Sequence, residues 1–156
     1  MKKLVFIVVF LLTFSVSYSQ EQTRKNAVFI EFLGNGGLYS LNYERQFLDK
    51  MVIRGGVSFY PEAIAIPLTV GKLVGRSQDL FELAIGSTIL NFNASGESNP
   101  GTAVFLTGVI GYRYQKPEGN FLFRIGFTPL INVYDVVGKE FESVIFLGGM
   151  SFGFRF

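Results

Sequence analysis

The chain has 156 residues with Lys+Arg 14, Asp+Glu 12, 18 Gly and 18 Phe, and it contains no His, Cys or Trp. That length fits one domain, and the missing residue types exclude an ordinary proton shuttle near neutral pH, a thiolate nucleophile, a zinc finger and a disulfide framework. With 49% hydrophobic and 17% charged residues, the chain is too apolar to be disordered.

The first element is an export signal. Lys2 and Lys3 are followed by a nearly unbroken apolar run over residues 4–16, and Ser17 and Ser19 supply small residues for a signal peptidase. Thirteen apolar residues fall short of the ~20 that span a bilayer as a helix, so the pattern predicts a cleavable signal peptide over residues 1–19. The domain would then be residues 20–156. Losing Lys2 and Lys3 leaves as many acidic as basic side chains, so the pI near 8.9 gives no reason to expect nucleic acid. No basic stripe with interleaved aromatics is present either.

Alternation then recurs through eight segments, at residues 27–33, 38–47, 51–59, 65–73, 80–90, 103–114, 121–128 and 143–156. Turn-forming residues separate them: Asn35-Gly36-Gly37, Asp49-Lys50, Tyr60-Pro61-Glu62, Gly75-Arg76-Ser77, polar residues 91–101, residues 116–120, and a longer stretch over 129–142. Unbroken strand–turn succession predicts an antiparallel meander. Pro67 cannot donate to a ladder, so a bulge or an outer-rim position is expected in the fourth strand, whose register stays open.

One face of nearly every segment is bulky and apolar. In the last, Phe146, Met150, Phe152, Phe154 and Phe156 alternate with Ile145, Leu147, Gly149, Ser151, Gly153 and Arg155. In the seventh, Phe121, Phe123, Ile125 and Phe127 alternate with Leu122, Arg124, Gly126 and Thr128. Eight such faces would overcrowd a sandwich core only ~10 Å thick, whereas lipid accepts them. A closed barrel also removes the unpaired sheet edges that hydrocarbon does not tolerate. Eight strands enclose an interior just wide enough for side chains, which suits the opposite-face glycines Gly56, Gly71, Gly86, Gly111, Gly126, Gly149 and Gly153. The fold expected is an all-β, eight-stranded antiparallel up-and-down transmembrane barrel. A soluble periplasmic or secreted barrel with the aromatic face as its core is the alternative.

The inward face carries charge at Glu31, Glu44, Arg54, Glu82, Arg113, Arg124 and Arg155. All but Glu31 fall near the tight-turn end, where Arg forks and carboxylates should pair and close the lumen; a gated polar path is the other reading. Towards the opposite end Leu33, Phe105, Ile145 and Leu147 predict a more apolar lumen, with room for a small lipophilic ligand as an alternative function. Ser40, Ser58, Thr69, Ser87 and Thr107 are read as lumen-filling hydroxyls, since no base activates them. Glu44 and Glu82 beside Arg stay ionised, unsuited to donating a proton. Gly34-Asn35-Gly36 is a hairpin turn, because no helix follows to receive a phosphate. Asp135, Glu140, Glu142 and Glu97 are too few and too irregular for a hard-cation loop. No catalytic residue, cofactor or metal is expected.

The export signal, the eight alternating segments and the terminal SFGFRF together resemble the small eight-stranded outer-membrane β-barrel proteins of Gram-negative bacteria. The stretch GNGGLYSLNYERQF over residues 34–47 is similar to the first hairpin of that group. The resemblance implies that Phe152, Phe154 and Phe156 form the C-terminal signal read by the barrel assembly machinery. It also implies outer-membrane lipid and lipopolysaccharide as surroundings, both mature termini in the periplasm, and no enzymatic activity. Any external partner would meet the longer loops, chiefly residues 129–142 with Tyr134.

Overall fold

A computed structural model describes residues 24–48, 50–92, 101–135 and 143–156; the expected signal peptide lies outside them. Eight antiparallel strands follow in chain order: β1 (Asn26–Gly34), β2 (Gly37–Leu48), β3 (Met51–Phe59), β4 (Ile64–Arg76), β5 (Asp79–Phe92), β6 (Gly101–Gln115), β7 (Phe121–Asp135) and β8 (Val144–Arg155). Each pairs with its neighbour, and β8 returns to β1 to close the barrel. The meander and its closure are therefore as the alternation predicts.

The side-chain period of two sorts the residues by face. Phe81, Phe121, Phe127, Phe146 and Phe154 point outward and are each about half exposed, while Phe29, Glu44, Arg54, Glu82, Leu122 and Arg124 point inward and are buried. Nothing outside the sheet covers the outward set among the described residues. The inward face is narrow enough that glycine decides which side chains reach across it. At Gly111 a Cβ would stand 2.6 Å from the Ile125 carbonyl oxygen and 2.9 Å from Gly126 Cα. The bare backbone there leaves room for larger side chains from β5 and β7.

Three expectations are corrected. Pro67 is neither bulged nor at the outer rim: it faces the lumen, fully buried, and pairs with Thr88 in unbroken register. Towards β3 the ladder merely skips two pairs around it, between Gly55↔Leu68 and Ser58↔Ala65, and resumes without a shift. The missing N–H thus removes ladder bonds without displacing the strand. The register shifts occur instead at Gln46–Leu48 and Val104–Phe105. The seventh strand does not stop at Thr128, since Pro129 sits within β7 and faces outward beside Gly108. The loop towards β8 is correspondingly shorter. Ser87 faces outward, and the inward hydroxyl on that strand is the buried Thr88.

Candidate functional site: a salt-bridged lumen beneath an apolar mouth

The interior divides into two storeys. At the end of the tight turns, register places Glu44 directly opposite Arg54 and Arg113 directly opposite Arg124. Two facing guanidinium groups repel unless a carboxylate lies between them, and Glu82 of β5 fills that role. Arg124 reaches it over Gly111 with a two-pronged bond, Nε to Oε2 at 2.8 Å and Nη2 to Oε1 at 2.8 Å. Arg54 Nη2 meets both Glu44 Oε2, at 2.9 Å, and Glu82 Oε1, at 2.5 Å. Arg113 Nη1 lies 2.6 Å from Glu44 Oε1 and 3.7 Å from Glu82 Oε2. Arg124 Nη1 extends the chain to Glu31 Oε1 at 3.3 Å.

Three carboxylates thus meet three guanidinium groups, all at most 5% exposed. Desolvating such ions is expensive, and only this degree of mutual satisfaction offsets it. Neutral groups take two further donors, Arg113 Nε donating to Gln115 Oε1 at 2.7 Å and Arg124 Nη1 to Ser151 Oγ at 3.2 Å, while Arg54 Nη1 has no hydrogen-bond partner among the described residues. Phe29, 1% exposed, contacts both Arg54 and Arg124, whose Cζ atoms each stand 5.1 Å from its ring centroid. A π-face attracts each cation, so this ring braces the network from β1.

Of the seven charges expected in the lumen, six join and one stands apart. Arg155 makes no ion pair within 4.0 Å of a carboxylate among the described residues. Its guanidinium donates instead to the Lys116 carbonyl oxygen at 2.9 Å and the Arg24 carbonyl oxygen at 2.6 Å, which tie the chain entry to the β6–β7 turn. Phe29 was legible by counting in twos from Glu31, but an aromatic residue among charges gives no signal of its own in the sequence.

Above the charges, the β1–β2 turn folds into the barrel. Asn35 at its tip is 1% exposed, although it belongs to a two-residue turn flanked by Gly34 and Gly37. From the opposite wall Thr88 Oγ1 donates to the Asn35 carbonyl oxygen at 2.8 Å, and Thr107 Oγ1 donates to Asn35 Oδ1 at 2.7 Å. The Asn35 amide N–H donates to Glu31 Oε2 at 3.1 Å. Tyr60 clamps the turn from the side: its hydroxyl donates to the Gly36 carbonyl oxygen and accepts from the Leu38 amide at 2.9 Å. Gly37 has φ +86° and faces the Tyr60 hydroxyl, so a glycine is needed there both for conformation and for space. Leu33 also adopts a left-handed φ of 54°. This breaks the alternation and turns its side chain outward, so that Leu33, unlike the other three residues expected in the upper lumen, does not line it.

The inturned turn is the floor of a cavity of about 420 Å³ whose walls include Ala63, Ala65, Leu90, Phe105, Leu130 and Leu147. The outward face below this mouth is apolar over its middle. Its charged side chains Arg45, Lys72, Arg76 and Asp79 lie towards the tight-turn end. Phe152 and Phe154 continue the outward apolar face along β8, and Phe156 follows directly after it; each is about half exposed.

No protein-family model and no curated protein matches the sequence. The fold is similar to the crystal structure of the N-terminal β-barrel domain of Pseudomonas aeruginosa OprF, with a TM-score of 0.61 and 17% identity, covering 85% of this chain and 98% of that one. At that identity the likeness concerns the fold.

Proposed function

We propose that the protein is a non-enzymatic integral outer-membrane β-barrel with a salt-bridged, side-chain-filled lumen, serving as a structural or surface-interaction protein. The observation that carries this reading is the division of the barrel wall: half-exposed Phe, Ile and Leu outside, and a balanced cluster of buried ions inside. In water the outer face would be an apolar surface far larger than monomeric soluble proteins expose. In a bilayer it is the expected apolar band, ~25 Å tall. Arg45, Lys72 and Arg76 then lie near the headgroups of one leaflet.

The fold likeness to an OprF barrel domain and the alternating C-terminal aromatics support the same compartment. In this reading the leader over residues 1–19 is removed, both termini face the periplasm, and the barrel assembly machinery reads Phe152, Phe154 and Phe156. The loops after β5 and β7 meet lipopolysaccharide or an external partner. The non-enzymatic reading is supported by the engagement of the chemistry-bearing groups: Glu44 and Glu82 are each held by guanidinium groups, and Thr88 and Thr107 by Asn35. A narrow channel is disfavoured because the ion pairs and the inturned turn obstruct the lumen in series. Binding of a small lipophilic molecule is the second reading, and the apolar mouth favours it.

The test is conductance of the full-length mature barrel in planar bilayers. Negligible steady current is expected from the wild type; large, steady single-channel currents would overturn the closed-lumen reading.

A further inference from the structure

The outer wall of the barrel is not uniform. At Gly55 the outward face of β3 loses its side chain, and its neighbours across the two ladders, Tyr43 on β2 and Leu68 on β4, stand on either side of bare backbone. With Val28, Leu41 and Val57 they enclose an outward groove of about 430 Å³. A Cβ at Gly55 would stand 3.3 Å from Leu68 Cδ2, so any side chain there begins to fill it. Tyr43 is held as one wall, because its hydroxyl donates to Asn26 Oδ1 at 2.8 Å.

The charge of the outer wall is uneven in the same place. Arg45 is the next outward residue beyond Tyr43 towards the tight turns, and Lys72 lies two outward positions beyond Leu68. They pair with Ile53 and Met51 of β3, and so flank the strand that carries Gly55. Both are exposed, and neither enters an ion pair among the described residues. Elsewhere this end differs: Asp79 on β5 accepts a bond from the Tyr112 hydroxyl, and the outward positions of β8 from Val144 to Phe154 carry no charge.

An apolar groove that ends in two cations matches an amphiphile with an acyl chain and an anionic head. Arg45 and Lys72 are two strands apart, ~10 Å across the sheet, and their long side chains can turn to one phosphate. Two cations around that phosphate leave no favourable place for a headgroup ammonium. The tight-turn end lies opposite the longer loops, so in the membrane reading these cations stand at the periplasmic leaflet, where phospholipids reside. We propose that the Gly55 groove and the Arg45–Lys72 pair bind an anionic phospholipid of that leaflet, its chain in the groove and its phosphate between the two cations. The site rests on the membrane reading and adds to it a place and a lipid class.

The chain has no Trp, so Ile53→Trp, on β3 between the two cations, supplies a single indole reporter, and Phe127→Trp on β7 supplies a reference. The full-length mature protein carrying either is placed in bilayers of phosphatidylglycerol and phosphatidylcholine with matched chains, brominated one lipid at a time. Heat-modifiability on a gel confirms a closed barrel in every variant. At residue 53 phosphatidylglycerol should be preferred at least about fivefold, the factor one cation at a membrane surface supplies, and at residue 127 the two lipids should quench alike. Adding Arg45→Gln with Lys72→Gln should remove the preference. Adding Gly55→Leu, which fills the groove and keeps both cations, should cut it by at least about half through lost chain contact. Native mass spectrometry of the protein with Ile53 intact reads the same preference as retained lipid.

No quenching at either position in brominated phosphatidylcholine alone would overturn the membrane reading and the site with it. Quenching at both positions without a preference at residue 53 would leave the membrane reading standing and overturn the site. A preference that survives loss of both cations would overturn the headgroup contact, and one untouched by Gly55→Leu would overturn the groove as the seat of the chain.

Discussion

The two ends of this lumen solve the problem of a narrow barrel in opposite ways. The lower storey is filled by ions that neutralise one another, with Glu82 touching Arg54, Arg113 and Arg124 at once. The upper storey is filled by a piece of backbone, the Asn35-Gly36 turn, and beyond it is left open and apolar. The difference lies in residue volume. Long Arg and Glu side chains reach across the barrel from its walls, whereas above them Ala63, Ala65 and Thr88 reach little, and a hairpin tip must fold in to close the gap. The lower storey should therefore govern stability, and the upper one access.

The sharpest way to break the comparison is Glu82→Gln, which leaves three guanidinium groups facing two carboxylates. Removing one partner of a buried ionic cluster costs about 3–5 kcal/mol, so the barrel should lose most of its resistance to detergent and heat on a gel. Unchanged migration would make the network ornamental. Arg155→Gln should do less. It removes hydrogen bonds from a charged donor to backbone carbonyls, about 1.5–3 kcal/mol, without stranding a buried carboxylate, and urea unfolding of the two variants in parallel checks the order.

Smallest is Thr107→Val, which deletes one neutral bond to Asn35 at about 1 kcal/mol. Its signature is local: amide hydrogen exchange should rise at residues 34–37 while the strands stay protected. A uniform rise across the barrel would mean that the turn is not a separate floor.

The sequence disclosed the sheet more fully than the lumen. Alternation is a local, period-two property, so strand number, closure and inward charges at Glu44, Arg54 and Arg124 follow from counting. The partner of each charge depends on shear and on which strands cross above a glycine, as when Arg124 passes over Gly111 to Glu82, and no local pattern encodes that. Asn35 reads as an ordinary exposed hairpin tip, because its inward course depends on Tyr60, Thr88 and Thr107 from distant strands. Proline was misleading twice: Pro67 keeps its strand in register without a bulge and Pro129 lies within β7 rather than in the loop after it, because the rest of a long ladder tolerates the loss of one donor.

The central claim is that the Phe-rich face meets hydrocarbon while the ionic face is sealed from it, and quenching by brominated phospholipid tests this most directly. A single Trp placed at outward Phe127 should be strongly quenched in bilayers of that lipid, and one placed at inward Leu122 should be nearly unaffected. Equal quenching at the two positions, or strong quenching at residue 122 alone, would contradict the account.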